Sequence, residues 1–240
     1  MAGRTVSETD AGRAKYEGPA VRALKGREIA REPLAIPAQM ADDLRMIRDH
    51  LFGVLGGRKN LAAGFASTNH AEGTTTVALK LALVTADKAR RVLVVDASAT
   101  AGLTGMLGLA GRPGLAQLAA GASPSDVVHR TEIDHLAVVA AGEGAGADLT
   151  EADWPRIVRQ LSGMADVVFF DLPPILTSTL APKVSAACDG LVLVVAAHRT
   201  RREAIRQAKA KLEYAGDVKL LGAILNGREY FIPDFLYRRA

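Results

Sequence analysis

The sequence predicts a single α/β domain built on a doubly wound, mostly parallel sheet, with helices on both faces in a three-layer αβα arrangement. Three observations carry that expectation. Short, nearly continuous apolar runs alternate with stretches of helical periodicity. Several of those runs end on a polar residue, as at Asp96 and Asp171, where open parallel sheets place their ligands. Finally, hydrophobic residues make up 49% of the 240-residue chain but aromatics only 5%, a composition of Ala, Val, Leu and Gly that suits helices packed closely on a sheet.

Taken in order, residues 1–37 mix charges, Gly and Pro without sustained periodicity and read as a disordered basic and polar tail. The domain is expected over 38–228. Between Ala41 and Leu55 the residues Leu44, Ile47, Leu51, Val54 and Leu55 recur at helical spacing with charges between them, predicting an amphipathic helix ahead of the first strand. There follow a strand near Leu61 to Ala66, a loop, a helix from about Thr75 to Ala89, and the strand Val92 to Val95. Short helices are expected around Leu103–Leu107, Leu115–Ala119 and Ser125–Val128, then a strand over Leu136–Ala140 and a Gly-rich loop over 141–146. A helix over Asp153–Leu161 leads to the strand Val167–Phe170 and the rigid turn Leu172-Pro173-Pro174. After another short helix come the strand Leu191–Ala197, a basic helix from Thr200 to Tyr214 and the strand Leu220–Leu225. Residues 229–240 form an aromatic and basic tail.

No apolar run approaches the roughly 18 to 20 residues that cross a bilayer, and the polar start lacks a signal-peptide core, so the expected location is cytoplasmic. The single cysteine, Cys188, lies in an apolar stretch with no histidine at ligand spacing and reads as a small buried residue. A net charge of +4 permits attraction to anionic surfaces without demanding it.

The loop after the first strand reads Ser67-Thr68-Asn69-His70-Ala71-Glu72-Gly73-Thr74-Thr75-Thr76. Phosphate-binding loops surround oxygens with backbone N–H groups at a helix N-terminus, use Gly for close approach, a Lys for the β/γ oxygens and a Ser or Thr for Mg²⁺. Gly73 and Thr75 meet that pattern, whereas Thr74 stands at the lysine position and Ala71 at an earlier glycine position. By themselves these ten residues read as an ordinary strand-to-helix turn whose threonines cap the helix. Likewise Asp96 and Asp171 read either as site carboxylates or as caps, and Asn226 as a site or a turn residue.

The loop does not stand alone. Arg90-Arg91-Val92-Leu93-Val94-Val95-Asp96-Ala97-Ser98, Gly114-Leu115-Ala116-Gln117-Leu118-Ala119-Ala120-Gly121, Asp166 to Pro174, Cys188 to Val195 and Leu221 to Asn226 follow in an order and spacing that resembles the bacterial tyrosine kinases (BY-kinases), relatives of the deviant P-loop ParA/MinD-like ATPases. The resemblance covers residues 41 to 228. It implies a P-loop NTPase fold, a nucleotide site formed by Ala71, Glu72, Gly73, Thr74, Thr75, Thr76 and Asn226, and catalytic positions at Asp96 and Asp171. Thr75, Asp96 and Asp171 would hold Mg²⁺. Asp42-x-x-Arg45-x-x-Arg48 is similar to the family's Glu-x-x-Arg-x-x-Arg ring-assembly motif, which implies oligomerisation through Asp42, Arg45 and Arg48, both arginines exposed.

Departures cluster on one activity. The family's lysine is Thr74, its second Walker A′ aspartate is Ser98, a following arginine is Thr100, and the tyrosine-rich tail is reduced to Tyr230 and Tyr237. Phosphoryl transfer rests on positioned charge, and losing the ammonium forfeits roughly three orders of magnitude in rate at about 1.4 kcal/mol per decade. Lys80, six residues along the helix, is rotated about 600° and raised about 9 Å, so it does not replace it. With these losses ATP and Mg²⁺ are expected to bind weakly or not at all. The expected function is a catalytically impaired, BY-kinase-like regulator of exopolysaccharide export. Its partners would be a membrane polysaccharide co-polymerase subunit, another copy or a kinase paralogue, with contact to the inner-membrane surface and no nucleic acid. The rivals are an active ATP-dependent tyrosine autokinase and a ParA/MinD-like positioning ATPase.

Overall fold

A computed structural model describes residues 34–36, 38–56, 60–86, 90–98, 100–144 and 151–227. Helix α1 (Ala38–Val54) precedes β1 (Leu61–Ser67), α2 (Thr74–Ala86) and β2 (Val92–Asp96). The short helices α3 (Gly102–Met106), α4 (Leu115–Ala119) and α5 (Pro124–Val127) lead to β3 (Val128–Arg130) and β4 (Leu136–Val139). A 3₁₀ turn (Glu151–Asp153) opens α6 (Trp154–Ser162), followed by β5 (Val167–Asp171), α7 (Leu180–Ala187), β6 (Gly190–Ala196), α8 (Arg202–Tyr214) and β7 (Leu220–Asn226).

The strands form one sheet in the order β3-β4-β2-β5-β1-β6-β7, parallel throughout except for β3 against β4. Strands β1, β2, β4, β5 and β6 are buried at every position. Their apolar runs show no alternation because helices cover both faces. On one face, Trp154, Ile157, Val158 and Leu161 of α6 occupy the i, i+3, i+4, i+7 stripe and pack with Phe170, Leu193, Ala208 and Leu212. On the other, Leu44 and Leu51 of α1 and most of the apolar residues of α2 pack with Phe65, Val94 and Phe169. Phe65 and Phe169 meet edge to face at 5.0 Å between ring centres.

The chain starts in the middle of the sheet, moves outward through β2 to β4, returns to insert β5 between β1 and β2, and then builds β6 and β7 on the other side. That reversal leaves a crevice at the carboxyl ends of β1, β2 and β5. The register sets Asp96 directly across from Asp171, and Asp171 across from Phe65.

Most element boundaries differ from expectation by one to three residues, but three departures are substantive. The edge strand β3 stands where only a short helix is expected, since three residues are too few to establish a period. Packing reaches ahead of the expected start at Ala38, because Leu34 is buried in the α1/α2 core. Arg48 is not exposed: it is 5% accessible, and its Nη1 donates to the Val84 carbonyl at 2.8 Å in the last turn of α2. The expected aromatic tail over 229–240 lies outside the described residues.

Candidate phosphate-binding site

Sequence and backbone geometry agree most closely at the loop between β1 and α2. Ala71 and Gly73 both have positive φ, +59° and +89°. The glycine at 73 is free to adopt this, whereas the alanine at 71 carries a left-handed penalty of about 1 kcal/mol. A Cβ at residue 73 would collide with the Asn226 side chain, so Gly73 is also required by close approach.

Glu72 is buried and holds the loop together. Its carboxylate accepts hydrogen bonds from the Thr68 backbone N–H at 2.8 Å, from the Thr68 hydroxyl and, at 2.7 Å, from the Thr200 hydroxyl beyond β6. Asn226, at the end of β7, donates its amide to the Glu72 carbonyl at 3.0 Å, and Arg199 Nη1 donates to the Ala71 carbonyl at 3.3 Å. The turn after β5 braces the other side, with Ile175 N–H on the Ser67 carbonyl and Leu176 N–H on the Thr68 carbonyl. The loop is thus fixed by segments more than a hundred residues away in sequence. Thr200 and the bracing Ile175 had no local signal by which to be found, whereas Arg199 stands out in sequence as one of the cations that open the basic helix.

Thr75, in the first turn of α2, donates its hydroxyl to Asp171 Oδ2 at 2.7 Å. Asp171 is buried, and its Oδ1 has no hydrogen-bond partner. Burial pushes its carboxyl up to about 7, with the Thr75 hydrogen bond opposing the rise and the Asp96 charge adding to it. A buried carboxylate with an unmatched oxygen beside a helix N-terminus is a place where a cation would relieve a cost.

Asp96 is occupied differently. Its Oδ1 accepts from the Ser98 N–H at 3.1 Å and its Oδ2 from both the N–H and the hydroxyl of Thr104 at 2.7 Å. Thr104 in turn accepts from the Ala141 N–H at 2.8 Å. This carboxylate therefore anchors α3 and the β4 exit loop, and the cap reading of Asp96 is the one its contacts support. Ser98 shares a hydrogen bond with Thr100 at 3.1 Å. Thr74 is 8% accessible and presents no cation. Thr76 lies one position further along α2, half-buried.

Among the described residues no three His, Cys, Asp or Glu side chains converge as a metal centre. A Mg²⁺ here would rest on Thr75, Asp171 and the oxygens of its own phosphate ligand, which is how this small cation is usually held. The hydroxyl–carboxylate pair and the orphaned Oδ1 fit such a metal–phosphate group. Thr74, at the residue position where the pattern wants a lysine, supplies no ammonium.

No protein-family model matches the chain. A protein of Streptococcus agalactiae named tyrosine-protein kinase CpsD is 31% identical over 181 residues, covering 71% of this chain and 76% of its own length. The chain belongs to the bacterial tyrosine-protein kinases. The tyrosine-protein kinase YwqD of Bacillus subtilis is 28% identical over 229 residues, covering 88% and 92% of the two chains. The kinase fold is equally visible in solved structures. The kinase domain of Escherichia coli ETK superposes with a TM-score of 0.76 at 24% identity, over 85% of this chain and 82% of that one. The chimerical protein CapA2B2 gives 0.74 at 22% identity, over 89% and 96%. Beyond the kinases, a cobyrinic acid a,c-diamide synthase of Mycobacterium smegmatis, solved with an ATP analog and magnesium, shares the fold at a TM-score of 0.61 and 23% identity, over 69% and 72%.

Proposed function

We propose that this kinase-family chain is a catalytically impaired regulator, acting as a cytosolic scaffold in the synthesis and export of a capsule- or holdfast-type exopolysaccharide. The observation that carries the reading is Thr74. A buried, neutral side chain stands where phosphoryl transfer needs an ammonium, and Asp96, the other family carboxylate, is committed to its own hydrogen bonds. The loop around it is nevertheless built to a defined shape, which supports weak retention of a Mg²⁺–nucleotide through backbone N–H groups, Thr75 and Asp171. Scaffold action would proceed through a membrane co-polymerase subunit, through further copies of the chain or through an intact kinase paralogue. No helix among the described residues is long and apolar enough to cross a membrane, so membrane association in this reading comes from the partner.

The test is autophosphorylation of the purified full chain with ATP and Mg²⁺. No phosphate should appear on Tyr230 or Tyr237. Labelled phosphate on either tyrosine, absent from an Asp171→Asn control, would establish the active-kinase reading, which the intact Thr75–Asp171 pair otherwise favours.

A further inference from the structure

Strand β7 differs from the rest of the sheet. Among the described residues it closes the order on one side and pairs only with β6, and Leu220 and Leu225 are 40% and 53% accessible where the neighbouring β6 is buried throughout. Beside it, Met46 of α1 is 66% accessible. Between them runs an apolar groove of about 380 Å³ lined by Met46, Ile47, His50, Leu221, Ile224 and Leu225. An apolar groove next to an unpaired strand edge offers both side-chain pockets and free backbone N–H and C=O groups, the two requirements for adding an extended segment.

We infer that this groove is the seat of the chain's own residues 228–240, which add to the β7 edge and bury their aromatic side chains against α1. The described chain ends at Gly227, directly after the strand that forms one wall, and the positive φ of Gly227, +68°, turns the backbone at that point. The following sequence, Arg228-Glu229-Tyr230-Phe231-Ile232, spans about 16 Å when extended, enough to run back past Leu225 and Ile224 at about 3.3 Å per residue. Pro233 then lacks an N–H and ends the pairing, leaving Phe235, Leu236 and Tyr237 for the groove beyond. The chain's aromatic content is concentrated here: two of its six phenylalanines and two of its four tyrosines fall in Tyr230–Tyr237. That places an aromatic segment a few residues from an apolar groove. Tethering decides between this segment and a second copy, because a short linker holds it at millimolar effective concentration without the entropy of association. The inference is independent of whether nucleotide binds.

The test uses the full chain in a Cys188→Ala background, with Met46→Cys combined in turn with Phe231→Cys and Phe235→Cys. Air oxidation at low protein concentration should give an intramolecular disulfide with at least one partner, at least tenfold faster than with Ile133→Cys, an exposed position on the loop between β3 and β4. Separately, in the otherwise native chain, a Phe231→Ala/Phe235→Ala variant should exchange its Leu221–Leu225 amides at least tenfold faster than wild type. Disulfides forming only between chains would assign the groove to a second copy. Equal rates at Met46 and Ile133 would mean the segment has no seat. Sedimentation with anionic vesicles that is lost in the double-alanine variant, without a Met46 cross-link, would assign the aromatics to a membrane surface. Each of these three results overturns the inference.

Discussion

At the scale of single residues, the site is governed by two charges, one missing and one unsettled. Thr74→Lys restores the missing cation at the N-terminus of a helix whose loop is already braced by Glu72, Asn226 and Arg199. Nucleotide affinity measured by calorimetry should rise at least tenfold, a gain of about 1.4 kcal/mol. Unchanged binding would show that the cradle no longer faces phosphate. The unsettled charge is Asp171. Its folded carboxyl holds a proton up to about pH 7, while in the unfolded chain it releases one near pH 4. Between those values the native state binds more protons than the unfolded state, so this group's contribution to stability falls as pH rises through the window and is flat above it. Asp171→Asn removes the titration while keeping the shape. The difference in melting temperature, variant minus wild type, should therefore increase from pH 5 to pH 8 in metal-free buffer. A constant difference would mean that Asp171 is ionised throughout.

Elements show where local sequence was sufficient and where it failed. The strands and α6 were legible because burial on both faces, or on one helical stripe, writes itself directly into a run of apolar residues. The Gly73–Thr75 segment was legible as a strand-to-helix turn, because a glycine followed by hydroxyl residues ahead of an apolar helix marks one locally. The contact of Asn226 was not, because its partner Glu72 lies 154 residues away, whereas the cap reading of Asp96 rests on Ser98 and Thr104 within eight residues. Helix α1 makes the point most sharply. Asp42, Arg45 and Arg48 share one spacing, yet Arg45 pairs with Asp42 at 3.0 Å on the surface while Arg48 reaches across to cap α2. A last-turn carbonyl of α2 would otherwise lack its partner, so Arg48→Ala should cost about 2 kcal/mol in denaturant unfolding. The surface pair calls for a different experiment. The swap Asp42→Arg/Arg45→Asp keeps an i,i+3 ion pair on the helix but inverts the charges offered to a neighbour. If α1 is an assembly surface, light scattering should show loss of self-association or of co-polymerase binding with unchanged melting temperature. The same mass for both proteins, with the partner present, would remove α1 from the interface.

For the whole molecule, the proposed reading separates what the fold preserves from what phosphoryl transfer requires. The sheet and the loop bracing are formed, while residue 74 carries no ammonium and Asp96 holds α3 and, through Thr104, the β4 exit loop. In the proposed scaffold reading, the chain would occupy a position that an active kinase would otherwise fill. Output in cells should then follow surfaces. The Asp42→Arg/Arg45→Asp swap should reduce exopolysaccharide severalfold, and Asp171→Asn, which leaves every outer surface unchanged, should leave it near wild type. Protein level and melting temperature must be matched first, since Asp171 also bonds Thr75 inside the fold and a stability change of 1–2 kcal/mol can alter abundance several-fold. Quantifying polymer in strains carrying each allele in place of the native gene separates the accounts. A stably folded Asp171→Asn protein that abolishes export as completely as gene deletion would show that metal–nucleotide chemistry at this carboxylate is indispensable, and the scaffold account would fall.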